Sequence, residues 1–76
     1  MRVEIITPEK TLFVGEAQSV TVPSLQGPFT MLEHHAPIVA VLQAGKVTLD
    51  DGNQVFQIQG GFCEQHDNNI IICAEL

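Results

Sequence analysis

The run Val47-Thr48-Leu49-Asp50-Asp51-Gly52-Asn53-Gln54-Val55-Phe56-Gln57-Ile58 constrains the fold more tightly than any other part of the chain. Asp-Gly between two alternating apolar runs signals a hairpin, because both central residues of a type I′ turn need positive φ. Pairing Asp50 with Asn53 sets Leu49 opposite Gln54 and Val47 opposite Phe56. Val47, Leu49, Phe56 and Ile58 then share one face, while Lys46, Thr48, Gln57 and Gln59 share the other. Turn chemistry and hydrophobic period reach the same register independently.

The same two-residue period recurs in Val3-Glu4-Ile5 and Val20-Thr21-Val22. Pro8, Pro23, Pro28 and Pro37 fall at turns or strand starts, where a missing amide hydrogen is tolerated. Gly60-Gly61 interrupts an apolar path and predicts a sharp bend or bulge where a strand passes from one sheet to another. The segment from Ala36 to Ala44 has Pro37 placed like a helix start and Gly45 like a helix stop. It is short and carries β-branched Ile38, Val39 and Val41, so strand is the expectation. Frequent turn signals predict an all-β chain: a flattened β-sandwich or barrel of about eight to ten short, mostly antiparallel strands.

At 76 residues the chain is expected to be a single domain spanning 1–76. A chain of this size buries only about 60% of its unfolded surface, which favours binding or assembly over an enclosed substrate pocket. Nine acidic residues against three basic ones (Arg2, Lys10 and Lys46) give a net charge of −6. Phosphate backbones and anionic headgroups repel such a surface, so nucleic acid is not an expected partner. No run approaches the roughly 20 apolar residues that span a bilayer, and the N-terminus lacks the pattern of a signal peptide. Membrane insertion is not expected, and a reducing compartment is.

Cys63 and Cys73 can be opposed or offset. A three-residue loop Asp67-Asn68-Asn69 pairs His66 with Ile70 and brings Cys63 opposite Cys73; a two-residue loop offsets them. Among His34, His35, His66 and Cys63, the neighbours His34 and His35 point to opposite faces of a strand, and Cys63-x-x-His66 lacks a second pair of ligands. The alternative functional reading is a small thiol- or metal-dependent enzyme using Cys63 with His66 or His35, which would need a low-pKa thiol. No phosphate-cradling glycine motif is present, so this chain alone is not expected to bind nucleotide, and no cofactor is expected.

Four pieces in order resemble the N-terminal β-sandwich domain of the F-type ATP synthase epsilon subunit. They are Thr7-Pro8-Glu9-Lys10-Thr11-Leu12-Phe13-Val14-Gly15, Val20-Thr21-Val22-Pro23, Met31-Leu32-Glu33-His34-His35-Ala36-Pro37 and Gln59-Gly60-Gly61-Phe62. The resemblance implies a non-catalytic central-stalk subunit of a rotary motor. Such a subunit binds the gamma subunit and the c-ring and couples proton or sodium translocation to ATP synthesis. It would sit at the cytoplasmic face of the bacterial inner membrane, peripheral through the complex.

Carried over by position, Gln26, Gly27, Pro28 and Phe29 would face the c-ring. His35, Ala36, Pro37, Ala40 and Leu42 would lie towards gamma. Gly52, Gly60 and Gly61 would be structural turns. The family usually has Gly-Glu-x-Gly in the loop and a proline shortly before its histidine; here those places hold Gly27-Pro28-Phe29-Thr30 and Glu33. Pro28 removes a carboxylate and a backbone donor there. Family members commonly continue into a C-terminal helical hairpin that inhibits hydrolysis; a chain ending at Leu76 is expected to lack that domain and its inhibition.

Overall fold

The hairpin predicted around Asp51-Gly52 is the longest strand pair in the molecule. In the computed structural model, which describes residues 1–76, its arms are β5 (Ile38–Leu49) and β6 (Gln54–His66). Leu49 pairs with Gln54 and Val47 with Phe56, the register derived from the turn. Val47, Leu49 and Ile58 are buried and Phe56 half-buried, as the alternation requires. Asp51 (φ 56°) and Gly52 (φ 103°) take the positive φ expected of them, but the strand ladder closes at Leu49–Gln54, and Asp50–Gly52 form a short 3-10 turn in place of a two-residue turn closed by an Asp50–Asn53 strand pair. Asp50 is left-handed as well (φ 48°). Its carboxylate turns aside to accept N–H bonds from Gln18 (2.7 Å) and Ser19 (3.2 Å), fastening the turn to that segment of the chain.

The other strands are β1 (Arg2–Ile6), β2 (Thr11–Glu16), β3 (Ser19–Ser24), β4 (Gly27–Leu32) and β7 (Asn69–Glu75). The sheet runs β2-β1-β7-β6-β5-β3-β4, with β1 and β7 parallel and every other pair antiparallel. β7, β1 and β2 extend from the second half of β6, whereas β3 and β4 extend from β5. The long hairpin therefore belongs to both layers of the sandwich. Inward positions alternate cleanly across the first layer: Ala40, Cys63, Ile72, Ile5 and Phe13 lie in one row of paired residues. Phe13 then meets Phe56 across the core, ring centroids 5.8 Å apart and planes tilted by 59°, an arrangement that suits the ring quadrupoles. Val3, Ile5, Val20, Val22, Val47 and Ile72 are fully enclosed; each such side chain contributes about 1.5–3 kcal/mol.

Three details are changed or resolved by the structure. There are seven strands, not eight to ten, because β5 and β6 run 12 and 13 residues without a break. No bulge interrupts β6 at Gly60-Gly61: it keeps one register against β5 throughout, omitting only the Ala44–Gln59 step. The glycine pair marks where β7 joins, the passage between layers expected there, and Gly61 (φ 135°) lies so close to β7 that a Cβ would clash with the Cys73 carbonyl oxygen. Finally, the β6–β7 loop has two residues, Asp67 and Asn68, both left-handed, so His66 pairs with Asn69. Cys63 consequently faces Ile72, Cys73 faces Phe62, and both thiols are free.

Proline placement follows hydrogen bonding. Pro28 lies on β4, an edge strand, opposite Pro23 of β3. Pro23 falls where the β3–β5 ladder shifts register, so its missing N–H leaves no gap in a regular ladder. Gly45 accommodates it: a Cβ there would sit 2.7 Å from the Pro23 ring.

Candidate docking surface

The β3–β4 hairpin ends in a two-residue tip, Leu25-Gln26, closed by the Ser24–Gly27 pair. Gly27 takes φ 116°, and the Ser24 hydroxyl donates to the Gly27 carbonyl. The tip is folded over β5. Leu25 donates its N–H to the Val41 carbonyl (3.0 Å), and the Gln43 side-chain amide donates to the Ser24 carbonyl (3.2 Å). A cleft of about 500 Å³ opens between them, lined by residues 24–29 and 38–41. None of these residues is charged. Gln26, Gly27, Pro28 and Phe29, expected to face one partner, thus share a single concavity with Ala40, expected to face another.

On the first half of β5 the outward side chains are Val39 (70% exposed) and Val41 (56%). Ala40 is half-buried and Leu42, at 3% exposed, belongs to the core. Leu42, expected as a contact residue, thus presents no side chain at the surface and packs beneath Val39 and Val41. A leucine at a hairpin tip was the signal for Leu25, 61% exposed. Between residues 38 and 41, β5 pairs with β6 alone; β3 rejoins it at Leu42. One backbone edge of β5 therefore borders the cleft without a neighbouring strand. Val41 sits opposite the half-exposed Phe62 of β6, which carries the apolar surface out of the cleft and over the sheet.

The β4–β5 connection, residues 33–37, rises beside this cleft. His34 is left-handed (φ 63°) and donates its N–H to Asn68 Oδ1 (2.9 Å). His35 donates its N–H to the Leu32 carbonyl (3.2 Å) and accepts at its own carbonyl from Gln65 Nε2 (3.0 Å). Its ring Nδ1 lies 2.8 Å from the Ala36 carbonyl. His35, Ala36 and Pro37 are all exposed. Glu33 anchors the base of the loop, taking a 2.9 Å hydrogen bond from the Met1 ammonium. That bond, reinforced by the charge of the ammonium and slightly by His34, holds the Glu33 carboxyl below its usual range.

The alternative chemistry finds no support in this geometry. Cys63 is fully buried and faces inward, whereas His66 is exposed on the opposite face and paired with Asp67 (3.0 Å). Burial pushes the Cys63 thiol up, with a main-chain hydrogen bond at Ala40 offsetting part of the effect. A thiol so placed is a poor nucleophile. No three or more His, Cys, Asp or Glu side chains converge as a metal site would require.

Residues 1–76 match the family described as the β-sandwich domain of the ATP synthase delta/epsilon chain. The ATP synthase epsilon chain of Chlorobium limicola is 43% identical over 77 residues, a match covering 97% of this chain and 88% of that one. The corresponding chain of Caulobacter vibrioides is 42% identical over 73 residues, covering 93% and 85%. That of Leptospira interrogans is 40% identical, and the match spans 61% of its length. Among solved structures, a chain in the central stalk/c-ring structure of Tetrahymena thermophila mitochondrial ATP synthase superposes with a TM-score of 0.82 at 20% identity, covering 99% of this chain and 63% of that one. At that identity the likeness speaks for the fold alone.

Proposed function

This chain belongs to the ATP synthase delta/epsilon-chain β-sandwich family, and from that premise we propose that it is a non-catalytic rotor subunit joining the gamma subunit to the c-ring. Its task is mechanical. It would help couple proton or sodium translocation to ATP synthesis by making two rotor parts turn as one, at the cytoplasmic face of the inner membrane. The observation that carries this reading is the uncharged cleft where the Leu25-Gln26 tip meets Val39 and Val41. A joint that transmits torque needs a stiff body and an apolar contact. The sandwich supplies the first through its continuous hairpin, and the cleft supplies the second.

In this reading Gln26, Gly27, Pro28 and Phe29, with Leu25 at the tip, meet the ring. His35, Ala36 and Pro37, with Val39, Val41 and the half-buried Ala40, meet gamma. Leu42 supports that face from within. Contacts of this kind draw their strength from desolvated apolar anchors at the centre of the interface, and rim charges add little.

Native mass spectrometry of the chain mixed with gamma subunit and c-ring tests the proposal. A stable complex that survives 0.5 M salt (~4 Å screening length) is expected. No association with either component would overturn it.

A further inference from the structure

We propose that Gln65 and Asn68, which stand on the β6–β7 hairpin away from the exposed face, are positioning residues that fix the shape of the 34–37 loop for docking. Gln65 is 1% exposed and faces the core between Ile38 and Ile70 in the paired strands. Its Nε2 donates to the His35 carbonyl, but its Oε1 is buried and has no partner. An orphaned amide oxygen is costly, and an apolar side chain of equal volume would avoid that cost. The one polar contact that favours a glutamine here over an apolar side chain is its grip on the His35 carbonyl.

Asn68 works on the preceding residue. Its Oδ1 takes the His34 N–H at 2.9 Å while its own carbonyl accepts from Arg2 (3.1 Å), so it is fixed to β1 on its other side. His34 at φ 63° is in a conformation that a non-glycine residue holds only when neighbours impose it. Asn68 itself sits at φ 60°, which asparagine tolerates well. Two consecutive loop residues are thus each held by one side chain from the same hairpin. The inference rests on the reading of residues 35–41 as a docking face.

The test uses the whole chain with Gln65→Met, Asn68→Gly and Asn68→Asp. Methionine matches the volume of glutamine, glycine keeps the positive φ, and aspartate keeps the acceptor. Amide hydrogen exchange at His34 and His35, read in the chain alone, should be about tenfold faster in Gln65→Met and Asn68→Gly. It should be near wild type in Asn68→Asp. Gln65→Met should meanwhile unfold at an unchanged or higher urea midpoint, whereas replacing a glutamine kept for fold stability would lower it. Affinity for a gamma/c-ring complex should fall about tenfold in the two loosened variants and recover in Asn68→Asp.

Exchange at wild-type rates in Gln65→Met and Asn68→Gly would overturn the clamp. Faster exchange with unchanged affinity would overturn its role in docking. Val39→Glu separates the two readings: if it too leaves affinity unchanged, the docking face itself has been misassigned.

Discussion

The ammonium of Met1 lies 2.9 Å from Oε1 of Glu33 and gives a second hydrogen bond, 3.0 Å long, to the Ala17 carbonyl. Glu16 stands a little farther off, at 3.6 Å. The first residue of the chain is thereby tied both to the end of β2 and to the base of the loop that carries His35. Met1 is itself buried, while the Glu33 carboxylate that meets its ammonium stays partly exposed.

A pH dependence follows from the sign of the Glu33 shift. Its carboxyl is held below the ordinary value of 4.5 in the folded chain, first by the ammonium hydrogen bond and then by the ammonium charge. The unfolded chain thus binds the proton more readily than the folded one. The stabilisation is complete above the unfolded value and disappears as pH falls through the lower folded value. Urea midpoints of wild type and Glu33→Gln should differ by a constant amount from pH 6 to 7 and converge below roughly pH 4. A difference that persists unchanged to pH 3 would show that the pair contributes nothing.

Gly60 and Gly61 should respond very differently to alanine. At Gly61 a Cβ would clash with the Cys73 carbonyl and the backbone is left-handed, so β7 must move. A loss of more than about 3 kcal/mol is expected, near the upper end for single substitutions. At Gly60 the nearest atom is the mobile Glu75 carboxylate at 3.1 Å, and the cost should stay below about 1 kcal/mol. Guanidinium denaturation of the two variants measures both. Equal losses would mean that the pair acts only as a flexible bend.

What the sequence disclosed and withheld can be followed residue by residue. The β5–β6 register was legible because Asp51-Gly52 and the period of Val47, Leu49, Phe56 and Ile58 report one geometry locally. The β6–β7 loop was not: Asp67, Asn68 and Asn69 all tolerate turns, and only tertiary contact with His34 and Arg2 selects two residues over three. Val39 and Val41 escaped notice because Ile38-Val39-Ala40-Val41-Leu42 is apolar on both faces, and a two-residue period cannot say which face is inward. The tie between Met1 and Glu33 spans 32 positions and leaves no local trace.

Substitutions along β5 should separate surface from core at neighbouring positions. Val39→Glu adds charge to a side chain already 70% exposed and should change stability by under about 1 kcal/mol. Leu42→Ala empties part of the core and should cost about 2–5 kcal/mol. Binding to gamma should respond in the opposite order. Val39→Glu should weaken it more than tenfold, because a carboxylate would have to be desolvated in the joint, whereas folded Leu42→Ala should bind nearly as wild type. Titration by light scattering or calorimetry at a temperature where both variants are folded decides the matter. Equal affinities for wild type and Val39→Glu would remove this strand from the interface.

The two thiols should differ in reactivity and never pair in the folded chain. Cys63 is fully buried and points inward, while Cys73 is partly exposed on the other face and stands opposite Phe62. Under mild iodoacetamide Cys73 should be modified first, and Cys63 only at the rate of global unfolding. Burial raises the Cys63 pKa above its ordinary 9.0, so the unfolded chain loses that proton first as the solution becomes alkaline. The contribution of Cys63 to stability is then fully present below pH 9 and fades as pH rises through the higher folded value. Wild type should therefore lose stability above pH 9 more steeply than Cys63→Ala. An oxidised Cys63–Cys73 bond formed under native conditions would require β7 to slip by one residue against β6, turning Ile70 and Ile72 out of the core, and mass spectrometry after air oxidation should find none.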